Sequence, residues 1–277
     1  MVDFIEFYGR RARSLYLHSN TDTHQMTGPT VSVVTPTYNS SRFLEDTLQS
    51  LRNQRYKDFE HIVIDGESDD GTHDILREYE DTYPMRWISE PDEGMYSAIE
   101  KGFKRAQGEI LCWLNSDDLY MPWTLEIVAE RLNRKEKDWI TGHPAHLDES
   151  GRVTNVSPIR PYYNRKWLVR GWYHRRGLGF VQQESTFWTS DLWNRAGGFP
   201  DDVRLAGDYY LWRQFAEETQ LRTVDTVLAA HRQHKNQMSH DISQYYEEIE
   251  DAVSPSHRLL NLMRVNRLYN IYNIFRN

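Results

Sequence analysis

Within its first 120 residues the chain alternates four short apolar runs with three segments of helical periodicity. The runs are Val31–Thr35, His61–Ile64, Met85–Ser89 and Ile110–Leu114, and the helical segments span about 42–53, 72–79 and 95–106. Pro36 is expected to stop the first run. Ser40 or Ser41 is placed to cap the first helix and Asp70 or Thr72 the second, and Gly108 follows the third. Strands that alternate with helices predict a mostly parallel sheet joined by right-handed crossovers. In such sheets ligands bind outside the carboxyl ends of the strands. Asp65, Glu90-Pro91-Asp92 and Asp117-Asp118 all fall at those ends, so three acidic groups are expected on one rim.

The pattern changes after residue 140. Residues 143–153 read as a strand–turn–strand piece around Glu149-Ser150-Gly151, and 162–173 are aromatic and basic. Residues 182–189 read as a strand, 192–196 as a short helix ended by Gly197-Gly198, 208–218 as a helix and 221–231 as a strand. Segments 245–252 and 259–275 read as helices. Residues 1–29 read as an N-terminal arm, 30–240 as one α/β domain in two halves (30–120 and 121–240), and 241–277 as a helical extension.

Length permits one sizeable core, and the net charge of −8 disfavours nucleic acid as a partner. The single cysteine, Cys112, lies inside an apolar strand, which suits a packing residue in a reducing compartment. No run approaches the ~18 apolar residues of a membrane span. The order of acids and bases at the N-terminus does not match a secretory signal.

Asn115-Ser116-Asp117-Asp118 follows the fourth strand. Adjacent carboxylates where a strand gives way to a loop suit a hard divalent cation that bridges protein to phosphate. The run Asp65–Thr72 is not an EF-hand loop, because Asp70 stands where glycine is required and Leu76 where glutamate is required. The sequence holds no Walker A loop and no G-x-G-x-x-G after a strand.

These motifs together resemble the family-2 glycosyltransferases of the GT-A fold. Val31–Asn39, Ile64–Thr72, Glu90–Gly94 with Ala98 and Gly102, and Asn115–Asp118 match the family's motifs in order and spacing. The resemblance implies a metal-dependent, inverting transfer of a sugar from a nucleotide donor, most simply a UDP-sugar, with Mn²⁺ or Mg²⁺. Thr35, Pro36 and Tyr38 would edge the nucleotide, with Tyr38 stacking on it. Asp65 would hold the base, Asp92 line the donor pocket, Asp117 meet ribose or metal, and Asp118 coordinate the metal against the diphosphate. Asp208, in Ala206–Trp212, resembles the family's catalytic base, with Glu184 as the runner-up. His234, with Arg232 and Lys235, resembles a loop near the diphosphate. The chain departs from the pattern at Asn115, often Asp, and at Glu100, often Asn.

The implied acceptor is a glycan or lipid-linked glycan, in polysaccharide or glycan assembly. The implied location is cytoplasmic, at the inner face of a membrane. The C-terminal segment, basic from Arg258 to Arg276, suits a membrane surface, a second subunit or its own domain. Two other readings stay open: a nucleotidyltransferase, disfavoured by a first loop whose one base is Arg42, and a non-catalytic nucleotide- or sugar-binding protein of the same fold.

Overall fold

The computed structural model describes residues 29–132, 138–174, 177–201, 203–235, 237 and 242–249. The N-terminal arm to residue 28 and the expected helix at 259–275 lie outside them. Four strands, β1 (Val31–Thr37), β2 (Phe59–Asp65), β3 (Met85–Ser89) and β4 (Ile110–Trp113), alternate with helices α1 (Leu44–Arg52), α2 (Thr72–Tyr79) and α3 (Met95–Phe103). All four strands run parallel, with β1 between β2 and β4. The sequence places β1 two residues short: it continues through Pro36 to Thr37, in register with Ile64 and Asp65 of β2. The missing amide of Pro36 disrupts nothing on the other side, because the ladder to β4 closes at Val34, whose carbonyl accepts from Leu114 (2.9 Å).

Beyond β4 come β5 (Leu119–Tyr120), α4 (Thr124–Leu132), β6 (Trp139–Thr141), β7 (Ala145–Leu147), β8 (Val153–Val156), α5 (Arg165–Val169), a 3₁₀ turn (Gln183–Ser185) and β9 (Thr186–Thr189). Then follow α6 (Ser190–Ala196), α7 (Gly207–Glu218), β10 (Arg222–Thr223), β11 (Ala229–Arg232) and α8 (Ile242–Ile249). The main sheet has the order β10-β6-β9-β4-β1-β2-β3, with β9 antiparallel to both neighbours, and β5-β11-β7-β8 form a smaller sheet. Two expectations are corrected. Residues 182–189 are strand only from Thr186, because a 3₁₀ turn precedes it. The single strand expected at 221–231 is two strands in different sheets. Between them, His143 donates its amide to the Thr226 carbonyl as the chain changes sheets (2.8 Å).

Side chains alternate across each strand, so the central sheet feeds cores on both faces. Val31, Val33 and Cys112 join Leu51, α4 and the small sheet in one core. Val34, Ile62, Ile64, Leu111 and Trp113 join α3, α6 and α7 in the other. Trp113, Trp139, Trp188 and Trp212 meet in that second core, with Trp113 stacked on Trp212 (centroids 5.9 Å apart, planes 10°). Packing accounts for these four tryptophans. Neither sequence-read helix cap survives as a side-chain cap. The α1 entry uses the Ser40 carbonyl, which accepts from Phe43 and Leu44, and Asp70 accepts from Thr72 and Ser41 as a loop tie.

The approach of α3 to β1 rests on Gly102. A methyl group at this position would stand 2.4 Å from Val34 Cγ1, in the layer that positions the rim. Gly102→Ala is expected to destabilise the fold by about 1–3 kcal/mol through overpacking, despite the better helix propensity of alanine. Thermal denaturation should show a midpoint lower by several degrees; an unchanged midpoint would mean the layers separate without cost.

Candidate active site

Loops leave the carboxyl ends of β1, β2, β3 and β4 on one rim and are tied to each other. Asn39 donates its amide to Ser68 Oγ (2.8 Å) and accepts from Asp69 on its side chain (2.9 Å); Gly66 donates to the Thr37 carbonyl (2.9 Å). Asn39 takes φ +48°, a conformation that asparagine tolerates. Tyr38 is 64% exposed on this rim. A Cβ on Gly66 would lie 2.9 Å from Asp92 Oδ2 and 3.4 Å from the Tyr38 ring, so the glycine lets Tyr38 and Asp92 flank one small space. Asp92 itself accepts from the Gly94 amide (2.8 Å).

Thr35, Pro36 and Asp65 lie deeper. Thr35 is buried, with Oγ1 2.8 Å from His61 Nε2. Pro36 is buried in β1. Asp65 is fully buried, and its carboxylate accepts from the Ser68 amide and hydroxyl and from Ser89, with His73 Nε2 at 2.6 Å. Burial opposes its ionisation, but these hydrogen bonds win and hold its pKa below the ordinary value.

The β4–β5 loop carries the acidic pair. Asp117 Oδ2 lies 2.8 Å from His234 Nε2, and the His234 ring packs on Phe43 (4.7 Å). Asp118 is fully buried: Oδ1 accepts from the Arg232 amide (2.9 Å) and lies 3.2 Å from His231 Nδ1. Asn115 Nδ2 points to Asp118 Oδ2 (3.4 Å) and to Gln183 Oε1 (3.3 Å), and Gln183 Nε2 donates to the Trp113 carbonyl (2.8 Å). An aspartate at 115 would set a further negative charge against Asp118, so the asparagine fits this setting.

Asp118, Glu184 and His231 bring one ligand atom each to within 4.8 Å of one another. Glu184 enters from the 3₁₀ turn and His231 from β11, two elements remote in sequence from the acidic pair. Asp117 is outside this trio. Glu184 is buried, and its Oε1 has no hydrogen-bond partner. Burial and then the charge of Asp118 raise its pKa to about 8. Burial and Asp118 raise Asp117 as well, against the pull of His234. Burial disfavours the imidazolium of His231, but the neighbouring carboxylates overcome it and raise its pKa to about 10. Two carboxylates and an imidazole in such proximity form a donor set suited to a divalent cation.

Arg232 sits differently from its sequence expectation of meeting phosphate. Its side chain is fully buried and donates to the Asp117 carbonyl (2.8 Å), the Glu149 carbonyl (3.2 Å) and Asp46 Oδ2 (2.8 Å), over the Phe43 ring (4.8 Å). It is a fastening of the site from behind.

Asp208 opens α7 beside Tyr96 of α3. Its Oδ1 accepts from the Tyr209 amide (2.8 Å) and lies 3.5 Å from the Tyr96 hydroxyl, which accepts from the Asp208 amide (3.2 Å). A Cβ on Gly207 would stand 2.5 Å from the Tyr96 ring, so glycine permits this approach. The preceding loop is held by Glu248 of α8, whose carboxylate accepts from the amides of Arg204, Leu205 and Ala206 (2.9–3.2 Å). The start of the expected C-terminal extension therefore packs on the loop that presents Asp208. Tyr96, Glu248 and His231 are not singled out by the sequence. His231 stands three residues before the histidine chosen there, and nothing local distinguishes the two.

Comparison with known proteins agrees with this architecture. Residues 32–191 match the model of a family described as glycosyl transferase family 2. An uncharacterised glycosyltransferase of Rickettsia conorii is 30% identical over 229 residues, which cover 79% of this chain and 36% of that protein. The chain thus spans about a third of that relative's length. Staphylococcus aureus TarS, residues 1–349 in complex with UDP-GlcNAc, superposes with a TM-score of 0.64 at 18% identity, over 80% of this chain and 65% of that one. The mannosyltransferase PcManGT of Pyrobaculum calidifontis, in complex with GDP-Man and Mn²⁺, superposes with a TM-score of 0.57 at 22% identity, over 84% and 65% of the two chains. The fold is GT-A.

Burial raises the Asp208 carboxyl from the ordinary 3.8 to about 6, against the Tyr209 amide and the Tyr96 hydroxyl. A raised folded-state pKa adds stability that is complete below the unfolded value and disappears as pH rises through the folded one. Above pH 6 the charged side chain therefore weighs on the fold. Asp208→Asn is expected to be more stable than wild type at pH 8, by at most about 3 kcal/mol, with the difference vanishing near pH 4. Urea unfolding at pH 4, 6 and 8 checks this; equal stabilities at pH 8 would show that Asp208 ionises without penalty.

Proposed function

Because the chain belongs to glycosyl transferase family 2, we propose that it moves a sugar from a nucleoside-diphosphate donor, a UDP-sugar, to a hydroxyl of a glycan acceptor, with inversion and with a divalent cation. The observation that carries the reading is the convergence of Asp118, Glu184 and His231 on the rim where the nucleotide loops gather. The partnerless Glu184 Oε1 fits a cation as its missing partner. An imidazole among the donors favours Mn²⁺ over Mg²⁺, which prefers oxygen and retains its water. When bound, the cation neutralises charge that builds on the departing diphosphate. The complexes of TarS with UDP-GlcNAc and of PcManGT with GDP-Man and Mn²⁺ support a nucleotide-sugar donor for this fold.

The residues then take distinct parts. Tyr38 and Asp92 line the nucleotide, with the Tyr38 ring exposed to stack on the base. Asp117, oriented by His234, meets the ribose. Thr35, Pro36 and Asp65 act from beneath, shaping the strand ends and holding the second loop rather than touching the donor. Asp208 accepts the proton of the acceptor hydroxyl as that oxygen bonds to the anomeric carbon and the bond from this carbon to the diphosphate oxygen breaks. A pKa of about 6 leaves Asp208 ionised and basic near neutrality. Among the described residues no helix is long and apolar enough to cross a membrane.

Two measurements test this reading. Thermal shifts with UDP, GDP, dTDP and CMP, with and without Mn²⁺, should show one nucleotide stabilising the protein by about 2.7 kcal/mol at a hundred times its Kd. The metal-dependent part should disappear in Asp118→Ala and in Glu184→Ala; a metal-dependent shift that survives both would remove the trio as ligands. Separately, Asp208→Asn should keep donor affinity and lose about 10²–10⁴-fold in turnover. Turnover at the wild-type rate would dismiss Asp208 as the base.

A further inference from the structure

Among the described residues, five of the six large apolar side chains left exposed fall between positions 159 and 180: Ile159, Tyr162, Trp167, Leu178 and Phe180. The same stretch is segregated by charge. Residues 152–183 hold seven Arg or Lys and no Asp or Glu, in a chain whose net charge is −8. The segment folds back on itself between Tyr162 and Phe180, which brings these parts of it together. Tyr173 donates its hydroxyl to the Tyr162 carbonyl (3.4 Å) and Tyr163 to that of Phe180 (3.5 Å). Leu178 donates its amide to Trp172 and Trp172 to Trp167 (2.9 Å each), and the Trp167 and Trp172 rings stack at 5.8 Å. An open groove of about 690 Å³ lies here, walled by Tyr162, Arg165, Lys166 and Arg170, with Glu217 as its acidic lining.

Three of these cations, Arg165, Lys166 and Arg170, have other surroundings than carboxylates. Arg165 donates to the Ala216 and Glu217 carbonyls (2.6 Å each) in the last turn of α7, and Arg170 lies over the Trp172 ring (5.8 Å). Among the described residues no carboxylate pairs with Arg165, Lys166 or Arg170. We propose that this surface docks the protein on an anionic lipid bilayer. Cations attract the headgroups while exposed aromatic and aliphatic side chains enter the interface. A soluble polyanion would use the charges and the rings, but it gives no reason to expose Ile159 and Leu178. The net negative charge of the whole chain makes the attraction directional, since other faces are repelled. The docked segment sits on α7, with Tyr209 Oη donating to the Gly171 carbonyl (3.2 Å), so binding holds the Asp208 end of α7 near the lipid surface.

The test uses the full chain with vesicles of phosphatidylcholine, with and without a quarter of phosphatidylglycerol. Co-sedimentation should require phosphatidylglycerol, weaken in high salt, and fall at least about tenfold in K166E/R170E. Both substituted side chains are exposed, and the circular dichroism and thermal midpoint of this variant should match wild type. Brominated lipid should quench the tryptophan emission of wild type more than that of Trp167→Phe. Absence of binding to phosphatidylglycerol vesicles overturns the proposal. So does binding that K166E/R170E leaves within twofold, which would move docking to another segment such as 256–277. Equally tight binding to dextran sulfate with no lipid quenching would make the groove a site for soluble polyanions and also overturn it.

Discussion

The candidate site hangs on one buried guanidinium. Arg232 reaches the Asp117 carbonyl in the β4–β5 loop, Asp46 on α1 and Glu149 in the β7–β8 turn, and it lies over Phe43 ahead of α1. A buried cation is tolerated only where opposing charge and hydrogen bonds replace its water. Those partners come from two loops and a helix, so β11 of the small sheet is pinned to the loop that leaves β4 of the parallel one. Its own amide then holds Asp118, and its predecessor in the chain is His231. One residue thereby fixes both members of that pair.

Around that fastening the fold gathers charges that repel each other. Burial and the charge of Asp118 raise the proton affinity of Asp117 and Glu184, and His231 and His234 sit against the acidic pair. Such a cluster concentrates negative potential and favours a compact cation. Asp208 belongs to a separate setting, framed by Tyr96 from α3 and steadied by Glu248 from α8. Acid pair and candidate base thus depend on different packing partners, so damage to one need not disturb the other.

The first half of the architecture was legible because each strand and helix there carries its own period and its own stop. Asp65, Asp92 and Asp117-Asp118 fall on one rim because parallel strands place their carboxyl ends together. The second half was less so, for physical reasons. Residues 222–223 and 229–232 are too short to show alternation, and whether they join one sheet or two is settled by Thr141 and Leu147, far away in the chain. Glu184 could be seen as a carboxylate of interest, but its meeting with Asp118 depends on a 3₁₀ turn before β9. Arg232 looked like a phosphate contact because sequence shows charge and not direction. Tyr96 and Glu248 act through side-chain contacts that cross more than a hundred and more than forty positions, respectively.

Asp118 and Arg232 stand 114 positions apart. Synthesis on the ribosome is vectorial, so the parallel strands with their acidic rim emerge well before β11 exists. Until β11 arrives, Asp117 and Asp118 lack His231, His234 and Arg232, and the small sheet lacks the strand that joins β5 to β7. Closing contacts of such long separation form late, because the chain between them must first be ordered. A nascent chain halted before β11 would hold a nearly complete sheet with its negative edge uncompensated, so closure of this rim reports that the chain has been made through β11.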